Sequence, residues 1–262
     1  MKKTIALVLA VMMLALTLTA CGGKGSSLDK IQKAGKLVIA TSPDFPPFES
    51  LNGDGKVEGI EIEVLEMICK ELGVTLEIQQ MDFGAVLPGV QAGKYDMGVS
   101  GISVTEKRQK NVLFTDPYCL AAQAIVVVEG SPITCKADLE GKTVSVQTGT
   151  TAESFCMENG YKVSAFAANN DAQSAVVQGK VDAWVIDDLT AAEMVKAYNA
   201  ENDVKLVVLE EPMTTEPYAL AMAFGSEDTV AKINTILAKL LDDGTIASIF
   251  EKYEAPFTSP KA

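Results

Sequence analysis

No histidine occurs anywhere in the 262 residues. That removes the commonest general base and the commonest nitrogen donor to metals, so histidine-based hydrolysis is excluded at the outset. Cysteine is sparse: five residues, none in a C-x-x-C pair, which argues against zinc, and no metal or cofactor is expected. Positive charge is in the minority, 22 basic residues against 35 acidic ones. A nucleic-acid partner, which needs a positive surface, is therefore not expected. Internal repeats and low-complexity segments are also lacking. The one long uncharged apolar stretch, residues 4–17, is shorter than the roughly 20 residues a membrane-spanning helix needs.

What is present begins with that stretch. It follows Met1–Lys2–Lys3 and runs into Leu18–Thr19–Ala20–Cys21–Gly22. A basic start, an apolar core and small residues before a cysteine form the pattern of a bacterial lipoprotein leader. Residues 1–20 are thus expected to be removed, with Cys21 the lipidation point that anchors the chain to the outer face of the cell membrane. Residues 21–27 read as a lipidated tether. Losing residues 1–20 removes two lysines, which leaves 20 basic and 35 acidic residues and a net charge of −15. The remaining 242 residues (262 − 20) suffice for one large domain or two ordinary ones. Export permits disulfides. The pairing of Cys69, Cys119, Cys135 and Cys156 stays open, although Cys69 lies in an apolar helical pattern and reads as a buried thiol.

Strand and helix patterns then alternate. Residues 36–40 form a short apolar run that ends in a loop containing Phe45, Pro46, Pro47 and Phe48. Ile60, Val64, Ile68 and Leu72 make a helical stripe stopped by Gly73. Residues 74–79 read as a strand, followed by Phe83 and a helix through Val90. This β–α–β–α–β order predicts a largely parallel sheet. Residues 120–128 read as one strand crossing to a second lobe. The second set runs through a strand at 142–147, a helix opened by Thr150–Thr151, a strand at 161–166, a helix capped by Asn170, and a strand reaching Asp187. Asp188 reads as the cap of the helix that follows. Residues 218–224 read as the return crossing. Trp184, the only tryptophan, reads as core.

Between these, Tyr95–Val99 reads as a short buried strand and leads into Ser100–Gly101–Ile102–Ser103–Val104–Thr105–Glu106–Lys107–Arg108. Thr105 can cap a short helix and tether Arg108 on its first turn. A guanidinium so held can grip a carboxylate with two parallel N–H bonds. A solvated surface arginine is the competing reading. Strand ends in such folds are where ligands bind, and the Thr148–Thr151 turn offers free backbone N–H groups to an anion.

The stretch SGISVTEKRQKNVLFTDPY resembles the signature of the family 3 solute-binding proteins of amino-acid ABC importers, among them glutamine-, histidine- and lysine/arginine-binding proteins. The resemblance covers about residues 28–253. It implies an α/β fold of the two-lobed type II periplasmic-binding-protein kind, each lobe a mostly parallel sheet flanked by helices. Lobe 1 would comprise residues 28–122 and 219–262, lobe 2 residues 128–213, and the hinge strands residues 123–127 and 214–218. In relatives the arginine at the position of Arg108 holds the ligand's α-carboxylate, with help from Thr150 and Thr151. Asp187 and Ser103 would take the α-amino group or share the carboxylate, Phe45 and Phe83 would wall the side chain, and Ser100, Gly101 and Gln147 would complete the site. Ser42 stands where several relatives carry an aspartate that meets a basic side chain, a departure that argues against a basic ligand.

The implied function is capture of a free L-amino acid with a polar side chain and delivery to a membrane permease, by a monomer without catalysis. A cyclohexadienyl-acid dehydratase on the same fold is one alternative. The sensory lobe of a receptor is another, which would call for a fused membrane span and signalling domain.

Overall fold

The computed structural model describes residues 26–260; the leader and Cys21 lie outside the described residues. Helix α1 (Ser27–Ala34) starts where the Ser26 hydroxyl accepts the Asp29 N–H at 3.0 Å, and it stops at Gly35 with φ 69°. Then come β1 (Lys36–Thr41), β2 (Asp44–Phe45), β3 (Glu49–Leu51), β4 (Val57–Glu58), α2 (Ile60–Leu72) and β5 (Thr75–Gln80). Next are α3 (Phe83–Gln91), β6 (Met97–Gly98), α4 (Glu106–Gln109), β7 (Leu113–Phe114) and β8 (Cys119–Ala121). The expected stripe of α2 is buried at Ile60, Val64, Ile68 and Leu72, and so is Cys69, whose thiol burial pushes up to about 11.

The second lobe holds β9 (Gln123–Val128), β10 (Thr143–Gln147), α5 (Thr151–Glu158), β11 (Lys162–Phe166), α6 (Asn169–Val177), β12 (Ala183–Asp187), α7 (Asp188–Glu201) and β13 (Leu206–Val208). The chain returns through β14 (Glu216–Tyr218) and β15 (Ala221–Met222) to α8 (Glu227–Asp242) and α9 (Thr245–Lys252). Helix α6 opens at Asn169 with Ala168 in the cap position, so Asn170 is not the cap. The Asn169 N–H instead finds a partner on the other lobe, described below.

Each lobe has one five-stranded sheet, ordered β5-β1-β6-β15-β7 in the first and β11-β10-β12-β9-β13 in the second. The pairings make four strands of each sheet run one way and one run against them: β15 in the first, β9 in the second. Both reversed strands are the ones that a crossing delivers. The crossings differ from the expectation in position. Residues 120–128 are not one strand, because the chain breaks at Ala122. Its N–H donates to Asp188 Oδ1 at 3.2 Å, and its carbonyl accepts the Asp188 N–H at 2.7 Å. Residues 123–127, expected as a hinge, belong to β9 inside the second sheet; the two-stranded ribbon between the lobes pairs β8 with β14. The run at 218–224 is likewise divided, into β14 and β15. A ribbon leaving one sheet and entering another has to turn, and an unbroken strand cannot do so.

Trp184 is fully buried, as expected. The four described cysteines are free thiols. No helix among the described residues is long and apolar enough to cross a membrane.

Candidate functional site

The carboxyl ends of β1 and β6 on one lobe face those of β10 and β12 on the other, and the loops that leave them line a cleft. Arg108 sits on α4, whose first turn is capped by Thr105 Oγ1 accepting the Arg108 N–H at 3.2 Å. Its Nη1 donates to the Ser103 carbonyl at 2.8 Å, and its Nη2 crosses the cleft to the Gly149 carbonyl at 3.2 Å. The guanidinium lies over the Phe83 ring, 5.6 Å from its centroid. Burial lowers its proton affinity, while Glu216 and Asp187 work the other way. A guanidinium stays charged through shifts of that kind.

Asp187 ends β12, and its carboxyl accepts Gln123 Nε2 at 2.9 Å. Burial first, and the Glu216 carboxyl second, push it up to about 8. Burial without an ion pair disfavours the charged form. Asp187 is thus a buried acid that keeps its proton near neutral pH when no cation faces it.

Phe45, Phe83, Ser100, Gly101, Ser103, Arg108, Gln147, Thr150, Thr151 and Asp187 line one small chamber. Gly101 has φ 53°, and a Cβ there would come within 2.4 Å of the Phe45 ring, so only glycine lets the turn and the ring share this wall. Thr150 caps α5 by accepting the Glu153 N–H at 3.1 Å. Ser42 is the exception among the expected residues. It lies behind the wall, with its hydroxyl donating to Asp44 Oδ1 at 2.8 Å and its N–H donating to Ser100 Oγ at 3.1 Å.

Two acidic residues of the cleft escaped the sequence reading. Asp44 lines the chamber and reaches across it, its Oδ2 accepting Gln147 Nε2 at 3.0 Å and the Asn169 N–H at 2.8 Å. Glu216, on β14, accepts hydroxyl hydrogen bonds from Ser103, from Thr151 at 2.7 Å and from Thr214 at 3.1 Å. The signal that could have found Asp44 is its place at a strand's end beside Phe45. Nothing local marks Glu216.

The chamber encloses about 10 Å³, room for little more than one water-sized sphere. Outside it a groove of about 710 Å³ runs between α3 and α4 on one lobe and α5 on the other. Gly84 and Gly149 meet at the cleft, where a Cβ on Gly149 would lie 3.2 Å from Gly84 Cα.

Comparison with known proteins matches residues 37–256 to the model of the bacterial extracellular solute-binding proteins, family 3. The arginine-binding extracellular protein ArtP of Bacillus subtilis is 31% identical over 266 residues, covering 100% of both chains. The L-cystine-binding protein TcyJ of Escherichia coli is 27% identical over 230 residues, 86% of this chain and 85% of that one. Among solved structures, a mutant of ArgBP from T. maritima superposes with a TM-score of 0.81 at 35% identity, covering 87% of this chain and 98% of that one. The ancestral amino-acid-binding protein AncCDT-1, a precursor of cyclohexadienyl dehydratase, gives 0.80 at 34% identity, covering 87% and 99%.

Proposed function

Because the chain belongs to the bacterial extracellular solute-binding proteins of family 3, we propose that it is the extracytoplasmic capture component of an ABC importer, and that its ligand is a free amino acid with a cationic side chain. The observation that carries this reading is that a guanidinium, Arg108, and a buried acid, Asp187, come from opposite lobes to line one chamber. Burying a zwitterion is costly unless both of its charges are paired, and these two groups would pair them. Arg108 and the start of α5 receive the α-carboxylate. Asp187 receives the α-ammonium, and Phe45 and Phe83 enclose the carbon chain.

The choice of a cationic side chain follows from the remaining charges. Asp44, Asp187 and Glu216 surround the cleft against the single Arg108. A neutral zwitterion uses Arg108 and Asp187, which leaves two carboxylates unbalanced; a cationic side chain offsets one of them. Asp44, two residues beyond Ser42, supplies the acid that Ser42 itself cannot. The names of relatives that bind arginine agree with this direction. A dehydratase reading draws on the kinship with AncCDT-1. It would require a carboxyl group of the cleft, where Asp44, Asp187 and Glu216 stand, to act as the acid.

Calorimetry against arginine, lysine, glutamine, glutamate and leucine tests the ligand. Arginine or lysine should bind most tightly. Asp44→Asn should reduce that preference about tenfold or more, a change of roughly 1.4 kcal/mol. Tighter binding of glutamate or leucine would overturn the charge reading.

A further inference from the structure

Behind the ligand cleft lies a second acidic cluster that neither the binding reading nor the fold requires. Glu49 on β3 and Glu61 in the first turn of α2 are fully buried, 0% and 1% exposed. They are brought together by the turn into α2, where the Ile60 and Glu61 N–H groups donate to the Pro47 and Phe48 carbonyls at 2.9 and 3.1 Å. Gly59 makes that approach possible: its φ is 142°, and a Cβ there would fall 2.1 Å from the Phe48 carbonyl oxygen. Both carboxyl groups reach the same short turn, Ser100–Gly101, which sets them beside each other. Each then takes one residue of the ligand-facing turn. Ser100 Oγ donates to Glu49 Oε1 at 2.8 Å, and the Gly101 N–H donates to Glu61 Oε2 at 2.9 Å. The Tyr118 hydroxyl donates to Glu61 Oε1 at 2.8 Å. Glu49 Oε2 is buried with no hydrogen-bond partner of its own among the described residues.

The groups facing the pair are Asp44 from β2, Ser100 from the turn after β6, Tyr118 just before β8 and Cys119 on β8. None is a cation, and neither glutamate forms an ion pair among the described residues. Two adjacent carboxylates in that setting cannot both ionise.

We propose that Glu49 and Glu61 share a single proton as a buried carboxyl–carboxylate pair, and that this pair holds the Ser100–Gly101 turn in the shape that receives ligand. The shared hydrogen sits on Glu49 Oε2 and is donated to Glu61. This leaves Glu49 Oε1 to accept from Ser100 and both oxygens of Glu61 to accept from Gly101 and Tyr118. The proton comes from solvent on folding. Burial, foremost, pushes both groups above the usual carboxylate range; Glu61 and Asp44 add to it at Glu49, while the hydrogen bonds to Glu61 only partly offset it there. The pair's stabilisation is therefore complete below that range and is lost as pH rises. The positioning role rests on the proposed ligand-binding use of the turn; the shared proton does not.

Glu49→Gln tests it, because an amide offers the same donor and acceptor without a titrating proton. In urea unfolding of ligand-free protein between pH 5 and 9, the unfolding equilibrium constant of E49Q should climb less steeply than that of wild type, by up to about tenfold per pH unit, the slope of one linked proton. Infrared spectra at pH 7 in an Asp187→Asn background should lose a protonated-carboxyl band on adding E49Q. Affinity for the best amino acid should stay within about threefold in E49Q but weaken about tenfold or more in Glu49→Ala, which leaves a donor and a carboxylate unpaired. An E49Q slope equal to wild type, or an unchanged band, overturns the shared proton; wild-type affinity in E49A overturns the positioning role. If E49Q does not fold, the slope of Asp187→Asn decides, since it must still show one linked proton. A wild-type protein that binds no amino acid refutes the binding site, while the unfolding and infrared readouts still judge the pair.

Discussion

In the proposed site Arg108 and Asp187 would meet opposite charges, and they are held by opposite means. Arg108 is held by carbonyls, from Ser103 and Gly149, which fix its direction without cancelling its charge. Asp187 is held by an amide and buried, so without ligand its carboxyl is pushed up to about 8. The sign of its pH effect follows. An unfolded aspartate ionises near 4. With the folded value raised, the stability due to this group is fully present below about 4 and is lost as pH rises towards 8. Asp187→Asn should therefore melt higher than wild type at pH 8 without ligand and equally at pH 4, while its amino-acid affinity falls about tenfold or more. Melting curves at the two pH values, with calorimetry on the same protein, check both halves. A variant less stable than wild type at pH 8 would remove Asp187 from this role.

At the scale of elements, the ribbon of β8 and β14 decides what the lobes can do. It joins them by three residue pairs, from Glu216 opposite Ala121 to Tyr218 opposite Cys119. Across the cleft the polar contacts include Asp44 with Gln147 and Asn169, Arg108 with Gly149, and Ser103 with Thr151. A chamber of about 10 Å³ cannot admit an amino acid unless the lobes part. The geometry predicts an open–closed equilibrium hinged at 119–122 and 214–218, with ligand favouring the closed form by its contacts to both lobes. Small-angle scattering should show a smaller radius of gyration with saturating arginine or lysine than without. An unchanged radius under saturation would rule out closure on binding.

For the whole molecule, the start of the fold bears on anchoring. Helix α1 begins at Ser27, whose hydroxyl donates to Asp228 Oδ1 at 2.6 Å; the Leu28 N–H donates to the other oxygen at 3.1 Å. The first lobe is thus tied down within a few residues of Cys21, and a lipid there would hold this lobe close to the membrane. Cys21→Ser should release the protein from the membrane fraction or leave it unprocessed. A mutant still processed and still sedimenting with membranes would overturn the lipoprotein reading.

Much of this was legible in the chain alone, where cause and consequence lie within a few residues. Gly73 ends α2, Thr105 caps α4 and Thr150 caps α5 because each acts on its own turn. Arg108 and Asp187 stood out for the same reason, one on a capped turn and the other at the end of an apolar strand. The break at Ala122 was hidden because the residues on both sides of it are buried, and a single glutamine, Gln123, in an otherwise apolar run does not mark a turn. Asp44, Glu216 and the Glu49–Glu61 pair were hidden for a different reason. Asp44 meets Asn169 across 125 positions, Glu216 meets Ser103 across 113, and Glu49 meets Ser100 across 51. An acid on the surface and an acid in a cleft look alike in sequence. Only the tertiary structure tells them apart: the two lobes set Asp44 and Glu216 in the cleft, while packing inside the first lobe takes Glu49 and Glu61 out of water.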